Sequence, residues 1–461
     1  MAIIKTPRKA ATVNPLKMSQ PLGASYAFMG MHRCMPVMHG SQGCTSFGLV
    51  LLVRHFREAI PLQTTAMNEA TTVMGGFENV EKAILNIRER AKPDLIAICS
   101  TGLTETKGDD VSGYLELVRQ RHPEVADTAL VYVSTPDYVG AFQDGWANAV
   151  TAFIRALVKP AEAKTPGQIN ILPGCHLTPA DIEEVREIVE SFGLRPLFLP
   201  DISRSLDGHM SDEFSPTTLG GALLAEVAAM GESVATLAIG EQMRPCAEAM
   251  REVTGIPYVL FDRLLGLEAS DRFIAELMKI SGQPVAAKWR RQRSQLQDAM
   301  LDAQFFTGGK KVALGAEPDL LWALGSLFYE MGCEIACAVT TTQSLLLERL
   351  QTAEVIIGDL EDLEQGAKSV EGGCDLLVTH AHGRQAAARL RVSHYRAGLP
   401  MFDRLGAGHK LMVGYRGTRE TVFDIGNLFL ADLHHHEGRP DSWPLPQGTL
   451  DTVAAAIHLS P

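Results

Sequence analysis

The sequence predicts an α/β protein of three Rossmann-like domains, each a mostly parallel β-sheet flanked by helices. Three observations predict it. The chain has 461 residues, more than one hydrophobic core usually serves. Short apolar runs alternate with longer helical patterns almost throughout. Two polar, charged or glycine-containing breaks divide that alternation, and a new strand follows each.

The strand-like runs are Asp94–Cys99, Ala129–Ser134, Gln168–Leu172, Val234–Ile239, Lys311–Leu314, Glu334–Val339, Glu354–Ile357 and Asp375–Thr379. Most run into Gly, Ser, Thr or Pro, as strands feeding turns do. Between them lie amphipathic helices. One opens at Thr178-Pro179, a side-chain cap followed by proline at the first helical position. It places Ile182, Val185, Val189 and Phe192 on one face and stops at Gly193. Another spans Pro318–Met331 and ends at Gly332. Repeated strand–helix alternation argues for parallel sheets covered by helices. The breaks are Lys159–Gly167 and the stretch from Arg290 through Gly309, giving units over 1–162, 163–302 and 303–461.

Composition excludes several functions. Apolar residues are 46% and charged residues 21%, as in ordinary globular proteins. Net charge is −12, from 54 acids against 42 bases, and no long basic run breaks it, which argues against nucleic-acid binding. No apolar h-region follows the basic N-terminus, and no stretch approaches the ~18 uninterrupted apolar residues of a membrane span. The expectation is a cytoplasmic protein with neither nucleic-acid nor membrane partners. Gly308-Gly309-Lys310-Lys311 superficially resembles a phosphate-binding loop. It has Gln304 where a glycine is needed, lacks the Ser/Thr after lysine, and precedes a strand instead of opening a helix.

Cysteine usage is more informative. Eight cysteines occur, at 34, 44, 99, 175, 246, 333, 337 and 374, with no CxxC pair. A self-contained zinc or four-cysteine cluster motif is therefore absent, and any cluster must be shared with another chain. Cys333 and Cys337 are read on one face of one strand, about 13 Å apart, too far for one metal. Cys99, Cys175, Cys246 and Cys374 read as core. Cys34 lies ten residues before Cys44 and is a second candidate to approach its site. His380 and His382 follow a strand end, where a metal pair competes with a solvated loop pair; His434-His435-His436 reads as a polar surface turn.

The strongest local signal is His39-Gly40-Ser41-Gln42-Gly43-Cys44-Thr45. Gly40 and Gly43 permit positive-φ turns that bring backbone amides near whatever the thiol binds. A helix expected over Thr45–His55 would add its N-terminal field. That environment favours a thiolate for iron or nucleophilic chemistry. The competing reading is a small apolar residue packed in a turn.

Several motifs now form an ordered set: Asn14-Pro15-Leu16 through Gln20-Pro21-Leu22-Gly23-Ala24, His39-Gly40-Ser41-Gln42-Gly43-Cys44, and Arg54-His55-Phe56-Arg57-Glu58. Ser100-Thr101-Gly102, Gly108-Asp109-Asp110 and Thr135-Pro136-Asp137-Tyr138-Val139-Gly140 follow. Pro200-Asp201-Ile202-Ser203, Ser205-Leu206-Asp207-Gly208-His209, Ala397-Gly398-Leu399-Pro400 with Asp403, and Gly414-Tyr415-Arg416-Gly417 complete it. The set resembles the β-subunit side of the nitrogenase component 1 family over nearly the whole chain. A nitrogenase β-subunit supplies three cysteines to the eight-iron P-cluster at its subunit boundary. The resemblance places them at Ser19, Cys44 and Gly102, and a serine that approaches that cluster at Asp137. One thiolate of three remains. It cannot hold half of an eight-iron cluster, but it completes a [4Fe–4S] cluster if a partner brings three.

That departure is similar to the scaffold members of the family, on which the iron–molybdenum cofactor of nitrogenase is assembled. The resemblance implies Cys44 as metal ligand, supported by Gly40 and Gly43, and no catalytic residue. It implies a NifE-like partner in a heterotetramer holding two copies of each chain. It also implies contact with the nitrogenase iron protein and a precursor delivery protein. The cofactor precursor is then bound transiently, mainly on the partner, and converted there with molybdenum and homocitrate. Three alternatives remain open: the molybdenum–iron protein β-subunit itself, a subunit of the related dark-operative protochlorophyllide reductase, and a cluster-free structural protein.

Overall fold

A computed structural model of the chain describes residues 1–7, 9, 12, 14–210 and 214–436. Three sheets form, and every ladder between their strands is parallel. The first orders its strands Gln63–Thr64, Cys34–His39, Leu95–Ser100, Ala129–Val133. The second orders them Arg195–Phe198, Gln168–Pro173, Ala235–Ile239, Tyr258–Phe261. The third has six: Ile3–Lys5, Glu354–Ile357, Glu334–Thr340, Lys311–Gly315, Leu376–Thr379 and Ser393–Arg396. Central strands such as Leu95–Ser100 and Gln168–Pro173 are buried along their whole length. Helices cover both of their faces, which is why they read as unbroken apolar runs.

The expected strands form, most within a residue of the sequence reading. Thr178 caps the Pro179–Glu190 helix through the Asp181 N–H, as its side chain predicts. Some features were not legible. Ile3–Lys5 pairs with Glu354–Ile356, so the first residues join the third sheet. Cys333 lies just before the Glu334–Thr340 strand, and a register shift opposite Val312/Ala313 inserts one extra residue before Cys337. The two cysteines therefore face different cores, not one, with Cys333 near the Thr307 carbonyl and Cys337 near that of Leu363. His434–His436 close the last helix, Gly414–His436, instead of forming a turn. Nor are His380 and His382 a solvated pair. His380 is buried under the N-terminal segment, with Nε2 3.1 Å from the Leu16 carbonyl.

The main core is continuous from Ala2 to Phe429, so the three sheets share one apolar interior. A polar knot joins them at their C-terminal edges. Gln143 donates its N–H to Glu317 at 3.4 Å, and the Asp319 N–H donates to the Gln143 side-chain oxygen at 3.3 Å. Asp319 also accepts from the Gln242 N–H at 3.1 Å. These residues come from all three expected units. Burial pushes the Glu317 carboxyl up to about 8 and that of Asp319 up to about 7.

Both acids therefore hold their protons to higher pH in the fold than in the unfolded chain, which releases them in the ordinary carboxylate range. Their contribution is full below that range and is lost as pH rises through about 7 to 8. Glu317→Gln and Asp319→Asn should flatten this loss. Urea unfolding at about pH 6 and about pH 8.5 checks it, and parallel slopes for parent and variants would contradict it.

Candidate metal centre

Parallel strands all end on one edge, and the first sheet gathers its functional segments there. Cys34–His39 runs into Gly40-Ser41 and the helix Gln42–Phe56. Leu95–Ser100 runs into Thr101 and the helix Gly102–Lys107. Ala129–Val133 leads to Thr135-Pro136-Asp137. The start of the Gln20–Met29 helix is tied to the same edge, where the Gln20 side chain donates to the Val139 carbonyl at 2.8 Å. Positions 19, 44, 102 and 137 thus belong to segments that meet at this edge.

The helix bearing Cys44 begins at Gln42, three residues earlier than the sequence suggests, so the thiol sits inside its first turn. Backbone N–H groups of that turn have no acceptor within the helix, and their partial positive charge favours an anion or thiolate. Ser41 is the cap residue but caps nothing; its hydroxyl lies 3.5 Å from Cys44 Sγ. Cys44 is exposed, the only fully exposed cysteine among the eight.

Neither glycine acts as expected. Gly40 and Gly43 are both absent from the positive-φ residues, so no left-handed turn shapes this segment. Gly40 is required by crowding, because a Cβ there would lie 2.3 Å from Thr101 Oγ1. Gly43 is the opposite case. A Cβ there would meet nothing closer than Ser41 Oγ at 4.0 Å, leaving open space beside the thiol.

The backbone beneath is firmly tied. Thr101 and Thr104 hydroxyls both donate to the His39 carbonyl at 3.0 Å. The His39 ring is buried between Thr65 Oγ1 at 2.8 Å and Asp109 at 3.2 Å. Burial lowers the His39 pKa, against the pull of Asp109. This network escaped the sequence reading, although His39 and Asp109 both lie within quoted motifs.

Other thiols do not join the site. Cys34 lies at the far end of its strand, fully buried, and burial raises its pKa. Cys99 packs inward against Ser25 and the Pro21 carbonyl, both at 3.7 Å, and burial pushes it up to about 12. At position 102 a Cβ would lie 2.0 Å from Oδ1 of Asp137, whose exposed side chain leans over the glycine. Among the described residues, no three His, Cys, Asp or Glu side chains gather to hold a metal ion. Cys44 is the exposed thiol at this edge.

The surroundings of that donor are apolar. Phe47 and Val50 on the same helix are 66% and 51% exposed, and Val53 continues the stripe. Leu103, Tyr138 and Val139 add exposed apolar groups on the same edge. The signal was present in the sequence as a helix apolar on most sides.

Comparison with known proteins identifies the class. Residues 19–430 match the model of the nitrogenase component 1 type oxidoreductases, and the chain belongs to that family. Within it, the chain is 58% identical to the nitrogenase iron-molybdenum cofactor biosynthesis protein NifN of Bradyrhizobium diazoefficiens, covering 97% of this chain and 96% of the relative. It is 50% identical to the protein of the same name from a Nostoc species, covering 93% and 96%. A solved structure titled nitrogenase Cp1 at pH 6.5 superposes with a TM-score of 0.89 at 32% identity, covering 96% of this chain and 98% of that one.

Gly40→Ala should destabilise the chain by about 1–3 kcal/mol, because the methyl group must displace Thr101. Gly43→Ala should be neutral, or stabilising by up to about 1 kcal/mol, in a helical position with room for it. Denaturant midpoints of the two variants test the pair, and equal losses would refute the assigned roles.

Proposed function

We propose that this chain is a NifN-type subunit of a two-protein scaffold for assembly of the nitrogenase iron–molybdenum cofactor. In this reading Cys44 is its single ligand to a [4Fe–4S] cluster shared with a NifE-like partner in an E2N2 heterotetramer. The observation that carries it is the exposed Cys44 thiol standing in an exposed apolar surface. Phe47 lies one turn beyond Cys44 on the same helix and is exposed, and Val50 and Val53 continue the apolar stripe. The relatives, named for biosynthesis of the iron–molybdenum cofactor, point to the cofactor, and the donor set supports the sharing.

The residues fit one corner of such a cluster and no more. Cys44 would hold one iron as thiolate, the first-turn amides would stabilise charge on its sulfur, and Gly43 would leave clearance. When bound, the cluster would supply electron transfer or structural bridging. The chain's own part is to fix the thiol, exclude water with its apolar rim and present the partner interface. The cofactor precursor is cargo, held mainly by the partner. The nitrogenase iron protein and a precursor delivery protein would dock on the assembled complex. A β-subunit carrying the eight-iron P-cluster is disfavoured by Ser19 and Gly102, which bring no thiol.

Anaerobic copurification with the partner tests this. The proposal expects about four iron per pair of chains and a reducible cluster signal. Cys44→Ala should lower the iron content or shift that signal while the heterotetramer stays assembled. About eight iron per pair would favour the β-subunit reading. An unchanged spectrum in the variant would count against Cys44.

A further inference from the structure

Two of the motifs that have no part in the site are Arg54-His55-Phe56-Arg57-Glu58, and Ala397-Gly398-Leu399-Pro400 with Asp403. In the fold they are a single contact. At the C-terminal end of the Gln42–Phe56 helix, the Met401 N–H donates to His55 Nδ1 at 2.8 Å. Arg57 donates to the Phe402 carbonyl at 3.0 Å, and the Arg54 guanidinium lies 4.3 Å above the Phe402 ring. Burial lowers His55 to about 3, so its ring is neutral and its Nδ1 can accept.

The opposing loop is itself anchored. Arg396 holds one Asp403 oxygen through two nitrogens at 2.9 and 3.2 Å, and His382 packs against Phe402 at 5.2 Å. The second sheet's unit reaches the same place. A Cβ on Gly408 would lie 3.2 Å from the Leu206 carbonyl and 3.5 Å from Phe56 and Pro179. One on Gly208 would lie 3.0 Å from His409 and 3.6 Å from Glu58.

We infer that this helix is a strut, clamped through Arg54, His55 and Arg57 to the Leu399–Asp403 loop, so that the third unit sets the position of Cys44 at its other end. Only the identity of what the thiol binds rests on the function proposed above. The helix has 15 residues, about 22 Å, and its internal hydrogen bonds make it tilt as one body. Along its length only Thr45, Gly48, Leu51, Leu52 and Phe56 are buried, while Phe47, Val50 and Val53 face outward. Gly48 is the natural pivot, where a Cβ would lie 3.1 Å from Met38 and 3.4 Å from Leu22. Releasing one end lets the other rock. His55, Arg57 and Phe402 are thus positioning residues, acting on the ligand through the helix.

Amide hydrogen exchange on the full chain and spectroscopy of the assembled complex test this together. His55→Leu and Phe402→Ala should speed exchange across Ser46–Leu52 by about tenfold, with strands of the second sheet unchanged. His55→Asn, which returns an acceptor near the place of Nδ1, should restore protection. In the complex, His55→Leu should shift the cluster's midpoint potential or g-values without loss of iron. Faster exchange confined to residues 53–57 and 399–403, with an unshifted cluster signal, overturns the inference. If His55→Leu does not fold, Arg57→Ala asks the same question, since its exposed side chain gives up only the bond to the Phe402 carbonyl. A parent complex without iron would sink the cluster assignment and leave the exchange comparison standing.

Discussion

A thiol that serves a metal shared between two chains faces opposing demands. It must stand at the surface, where the second chain can reach the same iron, yet its backbone must not drift. In the proposed role, Cys44 would meet the first demand by exposure. The second is met by the segment beneath it, where Thr101 and Thr104 grip the His39 carbonyl and His39 is wedged between Thr65 and Asp109. Much of the architecture follows from these constraints. Parallel strands bring the segments around positions 44, 102 and 137 to one edge, and the polar knot of Gln143, Gln242, Glu317 and Asp319 fixes that edge against the rest.

Loss of the other donors is as informative as retention of this one. At position 102 the sequence has glycine, and the exposed Asp137 carboxylate leans over it. Cys99, three residues away, cannot compensate, because strand alternation turns it inward toward Ser25. Cys44, by contrast, has an open flank at Gly43 and lies one helical turn from the exposed Phe47. Such a surface suits a scaffold, which must complete its metal site with another protein's help.

Sequence reasoning reached the fold because buried parallel strands write themselves as short apolar runs; Gln168–Pro173 and Ala235–Ile239 are examples. It singled out Cys44 through motif resemblance and the absence of CxxC, and the structure leaves that thiol exposed. It misjudged the glycines because flexibility and crowding both favour glycine, and only coordinates distinguish Gly40 from Gly43. It misplaced Cys333 relative to Cys337 because a one-residue bulge leaves no mark in a β-rich run. It took His380 for a solvated residue because nothing local announces that Leu16, more than 300 positions away, covers it. Contacts of that separation, including His55 with Met401, are where single-sequence reading ends.

The central claim is that Cys44 ligates iron at a boundary between two different chains. An iron-anomalous diffraction map of the anaerobically isolated complex tests it most directly. The account predicts an iron peak in bonding contact with the Cys44 sulfur, flanked by cysteines of the other chain. A Cys44 sulfur facing solvent, or packed against protein with no iron beside it, would contradict the account.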